Sequence, residues 1–108
     1  MKIYVAGKLN ANAVDYIKNI HRMIDYANAL RRAGHSVFVP CLDILLGIFD
    51  GHYEYEDYTR NNMPFLESCD CLYVVPESKD SAGTQKEIAR AKELNMPIYT
   101  ELIMVPKV

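Results

Sequence analysis

The chain has 108 residues, of which half are hydrophobic and 24% are charged, and its net charge is −2. This length predicts one domain, residues 1–108, that is large enough to bury a core. A slightly acidic chain is a poor partner for nucleic-acid phosphates, and no apolar run is long enough to cross a membrane. Because no signal peptide precedes the first predicted strand, we expect a cytoplasmic protein.

The first part of the chain predicts two strands joined through one long helix. Residues 2–6 form a buried strand that ends at Gly7, and residues 35–40 form the second strand. Between them, Asn12 can cap a helix that Gly34 ends. The apolar face of this helix repeats at helical spacing through Val14, Ile17, Ile20, Ile24, Ala27 and Leu30.

Residues 41–51 are predicted to be a loop that carries an apolar patch at residues 44–49. Such a patch suggests a lid over a ligand or a contact between subunits. Together with the nearby Tyr53, Tyr55 and Tyr58, it predicts a homo-oligomer, a dimer or higher, that covers this surface.

The second part of the chain continues the alternation of helices and strands. Residues 53–68 are predicted to be helical, with Pro64 breaking, kinking or starting the helix. A strand at 71–75, a helix at 83–94 and a strand at 97–100 follow, and the tail, 101–108, offers an edge strand.

This alternation predicts a doubly wound parallel α/β sheet of the flavodoxin-like or Rossmann-like kind. We expect four to five strands in the order 2-1-3-4, with the fifth, if formed, at the edge. Ligands of such sheets bind beyond the carboxyl ends of the strands, where the strand order reverses.

The most informative motif is Ser-Ala-Gly-Thr-Gln-Lys-Glu at residues 81–87, directly after the third strand. Gly83 lets a ligand approach the backbone, and the start of the helix favours an anion. Glu87 has two interpretations. It can form a capping box with Thr84, or it can do chemistry at the edge of the sheet.

Other polar residues are predicted to converge on the same edge. Gly7 and Lys8 follow the first strand, Asp43 follows the second, and Asn62 lies on the next helix. Polar groups from several segments around one pocket are typical of a small-molecule site.

The sequence lacks the motifs of several known classes of enzyme and binding site. It has no Walker A motif, no G-x-G-x-x-G, no G-x-S-x-G elbow, no C-x-x-C and no zinc-deaminase pattern. Cys41, Cys69 and Cys71 are expected to be buried or half-buried thiols, because the histidines lack ligand spacing. We therefore expect neither a metal nor a cofactor.

The chain resembles the nucleoside 2-deoxyribosyltransferase superfamily, which includes the 2′-deoxynucleoside 5′-phosphate N-hydrolases. The likeness runs from Met1 to about Tyr99. It is carried by the opening strand at residues 3–7, by residues 39–43, by Asp70 with the strand 71–75, and by the spacing of Ser81, Gly83 and Glu87.

The resemblance implies cleavage or transfer at the N-glycosidic bond of a 2′-deoxynucleoside or its 5′-monophosphate. Glu87 would be the nucleophile, and Tyr4 would orient it beside the sugar pocket that Tyr4 and Gly7 border. Ser81 and Gly83 would hold the sugar or a 5′-phosphate, which Lys8 could help to bind. The implied partner is a nucleoside or nucleotide.

One position departs from the family. An aspartate that assists the leaving base is replaced here by Asn62, which cannot exchange a proton at neutral pH. Asp57 and Asp43 are candidate substitutes. The asparagine also supports an alternative, a catalytically silent nucleotide-binding or sensor module, and the apolar patch at 44–49 supports a third, an interaction protein.

Overall fold

The computed structural model describes residues 1–52 and 54–108. Its sheet has four parallel strands: β1 (Lys2–Ala6), β2 (Ser36–Phe38), β3 (Cys71–Val74) and β4 (Ile98–Tyr99). Their order in the sheet is β2-β1-β3-β4. The predicted doubly wound α/β fold and its strand order are therefore confirmed.

In the described part of the chain, four helices flank the sheet: α1 (Ala13–Arg32), α2 (Ile44–Asp50), α3 (Tyr55–Ser68) and α4 (Ala82–Glu93). Side chains alternate between the two faces of a strand, so β1 and β3 contribute side chains to two hydrophobic cores, one on each face of the sheet. Ile3 and Val5 pack with Met23 of α1, whereas Tyr4 packs with Leu66 of α3 and with Ala91 of α4. The long α1 thus covers one face, and α3 and α4 cover the other.

Helix α1 begins and ends where the sequence predicts. Asn12 caps it by accepting a 2.9 Å hydrogen bond from the Asp15 N–H, and Gly34 follows it with φ of +100°. The predicted apolar face is wrong at its first turns, since Val14 and Ile17 are each 65% exposed. The first buried residue of α1 is Asn19, whose Nδ2 donates to the Leu9 carbonyl in the loop after β1. The turns of α1 before Asn19 therefore contribute nothing to the core.

The prediction of a loop over residues 41–51 is also wrong. A 3-10 turn at Pro40–Asp43 leads into α2, which Gly51 ends with φ of +86°. Proline at the first position of a helical turn and glycine just past its end are favourable at both places. Every residue of α2 stays at least partly exposed, so the helix lacks the one-sided burial that periodicity detects.

Helix α3 runs through Pro64 without ending or starting there. The predicted start, Tyr53, lies outside the described residues. A capping box between Glu54 and Asp57 stabilises the first turn, and the fully buried Leu66 anchors the last ones. These contacts offset the backbone hydrogen bond that a proline inside a helix removes.

In the described residues, the tail adds no fifth strand to the sheet. It forms a 3-10 turn at Leu102–Met104, after which Val105 packs into the core on the α1 side. Pro106 then lacks the N–H that an added strand would use. No helix in the described part of the chain is both long and apolar enough to span a bilayer.

Candidate functional site

A cavity of about 410 Å³ lies at the carboxyl edge of the sheet. Its wall includes residues from β1 and the loop after it, from the 3-10 turn after β2, and from α1, α3 and the start of α4. The structure brings all but one of the predicted site residues to this wall: Tyr4, Gly7, Lys8, Asp43, Asn62, Ser81, Gly83 and Glu87.

The exception is Asp57, which lies in the first turn of α3 and outside this cavity. Its carboxylate accepts a 2.8 Å hydrogen bond from the Glu54 N–H and pairs with Arg60 at 2.6 Å. The hydrogen bond from the Glu54 backbone, with help from Arg60, lowers the pKa of Asp57. The prediction that Asp57 lines the pocket is therefore wrong, because its carboxylate is engaged in the capping box of α3 and does not reach the cavity wall.

The cap of α4 is Ser81, which bears on the capping interpretation of Glu87. Ser81 Oγ accepts hydrogen bonds from the Thr84 N–H at 3.2 Å and from Thr84 Oγ1 at 3.0 Å. Glu87 therefore lies well beyond the position from which a carboxylate caps a helix. The prediction of a capping box between Thr84 and Glu87 is therefore wrong, and the carboxylate of Glu87 takes no part in capping α4.

Glu87 forms a hydrogen bond with the phenol of Tyr4, whose side chain is only 1% exposed in β1. Burial raises the pKa of Glu87 to about 7, the Tyr4 hydrogen bond opposes that rise, and the charge of Asp43 adds to it. Burial and the neighbouring Glu87 raise the pKa of Tyr4, so its phenol stays protonated and donates. This carboxylate changes charge near neutral pH, as a group used in catalysis often does.

A second polar pair connects the 3-10 turn after β2 to α3. Asn62 Nδ2 donates a 2.8 Å hydrogen bond to Asp43 Oδ2, and Asn62 is 7% exposed. Burial raises the pKa of Asp43, while the Asn62 hydrogen bond opposes the rise. The amide of Asn61 donates in turn to Asn62 Oδ1 at 3.3 Å, so the orientation of Asn62 is fixed from both ends.

Several wall residues were missed by the sequence analysis. Asp80 pairs with Lys8, while Tyr16, Tyr55 and Tyr58 supply aromatic surface. The sequence predicts a subunit contact for the tyrosines of α3, because nothing in the sequence alone shows which way they face. The Tyr55 hydroxyl lies 3.1 Å from where a Cβ on Gly83 would stand, so glycine suits that close approach.

The wall of the cavity combines carboxylates with neutral hydrogen-bond donors. Among the described residues, no three histidine, cysteine or carboxylate side chains are grouped as a metal would require. The cavity is thus lined by a shielded carboxylate with a phenol donor, a carboxylate with an amide donor and the Lys8–Asp80 ion pair.

Comparison with known proteins identifies a family and a similar solved structure for the chain. The family described as a domain of unknown function, DUF4406, matches residues 1–100, and no curated protein sequence matches. A solved 2-deoxyribosyltransferase from the psychrotolerant bacterium Bacillus psychrosaccharolyticus is similar, with a TM-score of 0.69 and 23% identity. The match covers 91% of this chain and 69% of that one. The chain belongs to the DUF4406 family and shares the fold of a 2-deoxyribosyltransferase.

Proposed function

We propose that this protein is an enzyme that cleaves or transfers at the N-glycosidic bond of a 2′-deoxynucleoside or its 5′-monophosphate. The observation that carries the proposal is Glu87, a shielded carboxylate on the cavity wall that holds a hydrogen bond from Tyr4 and takes no part in capping. The fold shared with a 2-deoxyribosyltransferase, described as a biocatalyst for nucleoside synthesis, supports the same class of substrate.

In the proposed reaction the ionised carboxylate of Glu87 attacks the anomeric carbon of the sugar. The bond from that carbon to the base nitrogen breaks, its electron pair leaves with the base, and a glycosyl ester remains on Glu87. Water or a second base then attacks the same carbon and releases the glutamate, as in retaining glycoside cleavage. Tyr4 orients the carboxylate, and Ser81 with the backbone at Gly83 binds the sugar.

We propose that the Asp43–Asn62 pair contacts the leaving base. Asn62 fixes Asp43 through its 2.8 Å hydrogen bond, and both side chains line the cavity. With Asp57 outside the cavity, Asp43 remains the candidate carboxyl group among the two substitutes, and water is the other source of the proton that the departing base takes.

The alternative is a catalytically silent module that binds nucleotides on the same fold. Asn62 favours it, because an amide stands where the resembling enzymes have an acid and cannot supply a proton itself. The two functions differ in turnover. A silent module would be stabilised thermally by a nucleoside or nucleotide without releasing its base.

The test is a panel of deoxynucleosides and their 5′-monophosphates, each incubated with and without a second free base, with released base measured by chromatography. We expect release from at least one substrate and none with Glu87→Gln. Glu93→Gln, an exposed glutamate on the same helix, is the matched control and should keep full turnover.

Intact mass spectrometry of acid-quenched reactions should show a deoxyribosyl adduct on the unmodified protein and none on Glu87→Gln. Full turnover by Glu87→Gln would overturn the proposed nucleophile. Thermal stabilisation by nucleosides without any base release would favour the silent module.

A further inference from the structure

The charges around the cavity are unevenly distributed. Among the described residues of its wall, the carboxylates are Asp43, Asp80 and Glu87, while Lys8 is the one lysine or arginine. Lys8 is therefore the group that a phosphate on the substrate would use for an ion pair.

Lys8 is already paired. Its Nζ donates to Asp80 Oδ2 at 2.6 Å, although the two residues are 72 positions apart in the chain. The backbone holds both partners in place. The Lys8 N–H donates to the buried Ser78 Oγ at 2.9 Å, and the Ser81 N–H donates to the Ser78 carbonyl at 3.1 Å.

Two further basic side chains near the wall, Arg22 and Lys86, are engaged as well. Arg22 pairs with Glu77 at 3.2 Å and also donates to Asn19. The Nζ of Lys86 lies 4.9 Å from the ring centroid of Tyr55, in a cation–π contact. A phosphate that pairs with Lys8 would thus have to displace Asp80 from it and remain close to the negative charge of Asp80.

We infer that Asp80 is a specificity-determining residue that neutralises Lys8 and makes the cavity select an uncharged deoxynucleoside over its 5′-monophosphate. This inference rests on the proposed function for its substrate class. A carboxylate beside the position of an anionic group acts against the charged competitor, and such a repulsive element is one of the two ways in which a site discriminates between ligands.

The experiment compares kcat/KM and Kd for one deoxynucleoside and its 5′-monophosphate in the unmodified protein and in Asp80→Asn. We expect the unmodified protein to prefer the nucleoside by at least about tenfold. Asp80→Asn should raise the monophosphate-to-nucleoside ratio by about tenfold or more, because it frees Lys8. Adding Lys8→Gln to Asp80→Asn should abolish that gain.

Asp25→Asn is the matched control, since it removes one exposed carboxylate of α1 and changes the net charge equally. It should leave the ratio unchanged. A preference of the unmodified protein for the monophosphate, or an equal effect of Asp80→Asn and Asp25→Asn, would overturn the inference.

The two proposals fail in different ways. Turnover without discrimination between the two substrates would leave the proposed reaction standing and overturn the role of Asp80. Discrimination in Kd without turnover by any variant would support the role of Asp80 and overturn the proposed reaction. Binding of neither compound would overturn both.

Discussion

At the scale of the residue, Glu87 should cost the protein stability. Its pKa of about 7 lies above the ordinary value of 4.5, so the folded state binds the proton more tightly than the unfolded chain does. The free energy of unfolding therefore falls as the pH rises from about 4.5 through about 7. Functional groups often carry such a cost.

We accordingly expect Glu87→Gln to stabilise the fold while it abolishes base release. The gain in free energy of unfolding should be about 1 kcal/mol at pH 8, discounted for the remaining exposure of the side chain, and close to zero at pH 4. Thermal unfolding at the two pH values measures it. Equal gains at both, or a gain in the control Glu93→Gln, would contradict this account.

Tyr4→Phe should move the pH dependence of the reaction. The phenol hydrogen bond lowers the pKa of Glu87, so its removal should raise that pKa further and shift the acid limb of kcat/KM to higher pH. Activity at pH 7 should therefore fall more than activity at pH 9. A pH–rate profile shows this.

Tyr73→Phe is the control for Tyr4→Phe, because Tyr73 lies in the neighbouring β3 and packs into the core on the α1 side. Its buried hydroxyl has no hydrogen-bond partner in the described structure, so its removal should leave the pH profile in place and cost little stability. An unshifted limb in Tyr4→Phe would remove the phenol from its orienting role.

Asn62→Asp should raise the rate of base release. The new carboxyl group would stand where the amide now lies 2.8 Å from Asp43, and two carboxyl groups at that distance share one proton. The pair would then hold an acid near neutral pH. General acid assistance is typically worth about 10²–10⁴-fold, so a partial effect is measurable as free base.

The gain from Asn62→Asp should be larger at pH 6 than at pH 8. A slower reaction at both pH values would mean that the amide itself contacts the base, with the proton supplied by Asp43 or water. An unchanged rate and unchanged nucleoside binding would remove Asn62 from the substrate site.

At the scale of the element, Ser81 combines a structural role as the cap of α4 with a proposed contact to the substrate. It caps α4, so Ser81→Ala should lower the free energy of unfolding by about 1 kcal/mol. Asn12→Ala, which removes the cap of α1, should cost a similar amount. Urea unfolding compares the two.

The two cap variants should differ in kinetics. Because Ser81 lines the cavity, Ser81→Ala should raise KM for the sugar substrate, whereas Asn12→Ala should leave KM unchanged. Equal values of KM would confine Ser81 to its capping role.

Elements with strong local signals were predictable from the sequence. Apolar runs predicted the strands, and Asn12 and Gly34 predicted the two ends of α1. Helix α2 was not predictable, because none of its residues is buried and its apolar residues therefore follow no helical period. Choosing Thr84 over Ser81 as the cap of α4 failed for another reason, since both hydroxyls suit that position and only the fold selects one.

The location of the candidate site was predictable from the sequence, but the pairing of its side chains was not. Strand order brought Tyr4, Lys8 and Glu87 to one edge of the sheet, because parallel strands end on the same side. The pairing of Lys8 with Asp80 was not predictable, since it joins side chains 72 positions apart through two loops. Which carboxylates are shielded likewise depends on packing that no local pattern encodes.

At the scale of the whole molecule, α2 leaves a large apolar surface exposed. Leu45 is 58% exposed, Ile48 62% and Phe49 85%, beside Leu42 at 61%. We propose that a second copy of the chain covers this surface. A standard interface buries about 800 Å² per partner, and a cluster of this size can supply its centre.

Phe49→Glu should therefore weaken the assembly. We expect sedimentation to show a dimer or higher for the unmodified protein at micromolar concentration and a larger share of monomer for the variant. Ile103→Glu, at a residue that is 88% exposed in the tail, is the control and should sediment like the unmodified protein. A monomer at high micromolar concentration would contradict the proposal.

Asp43 ends the 3-10 turn whose next residue begins α2, and this continuity links assembly to chemistry. A short helix without any buried residue opens easily, so in an isolated copy its opening would disturb Asp43 despite the hydrogen bond from Asn62. Specific activity should then fall as the protein is diluted and recover on concentration. The same protein would thus be switched by its own abundance, without any further effector.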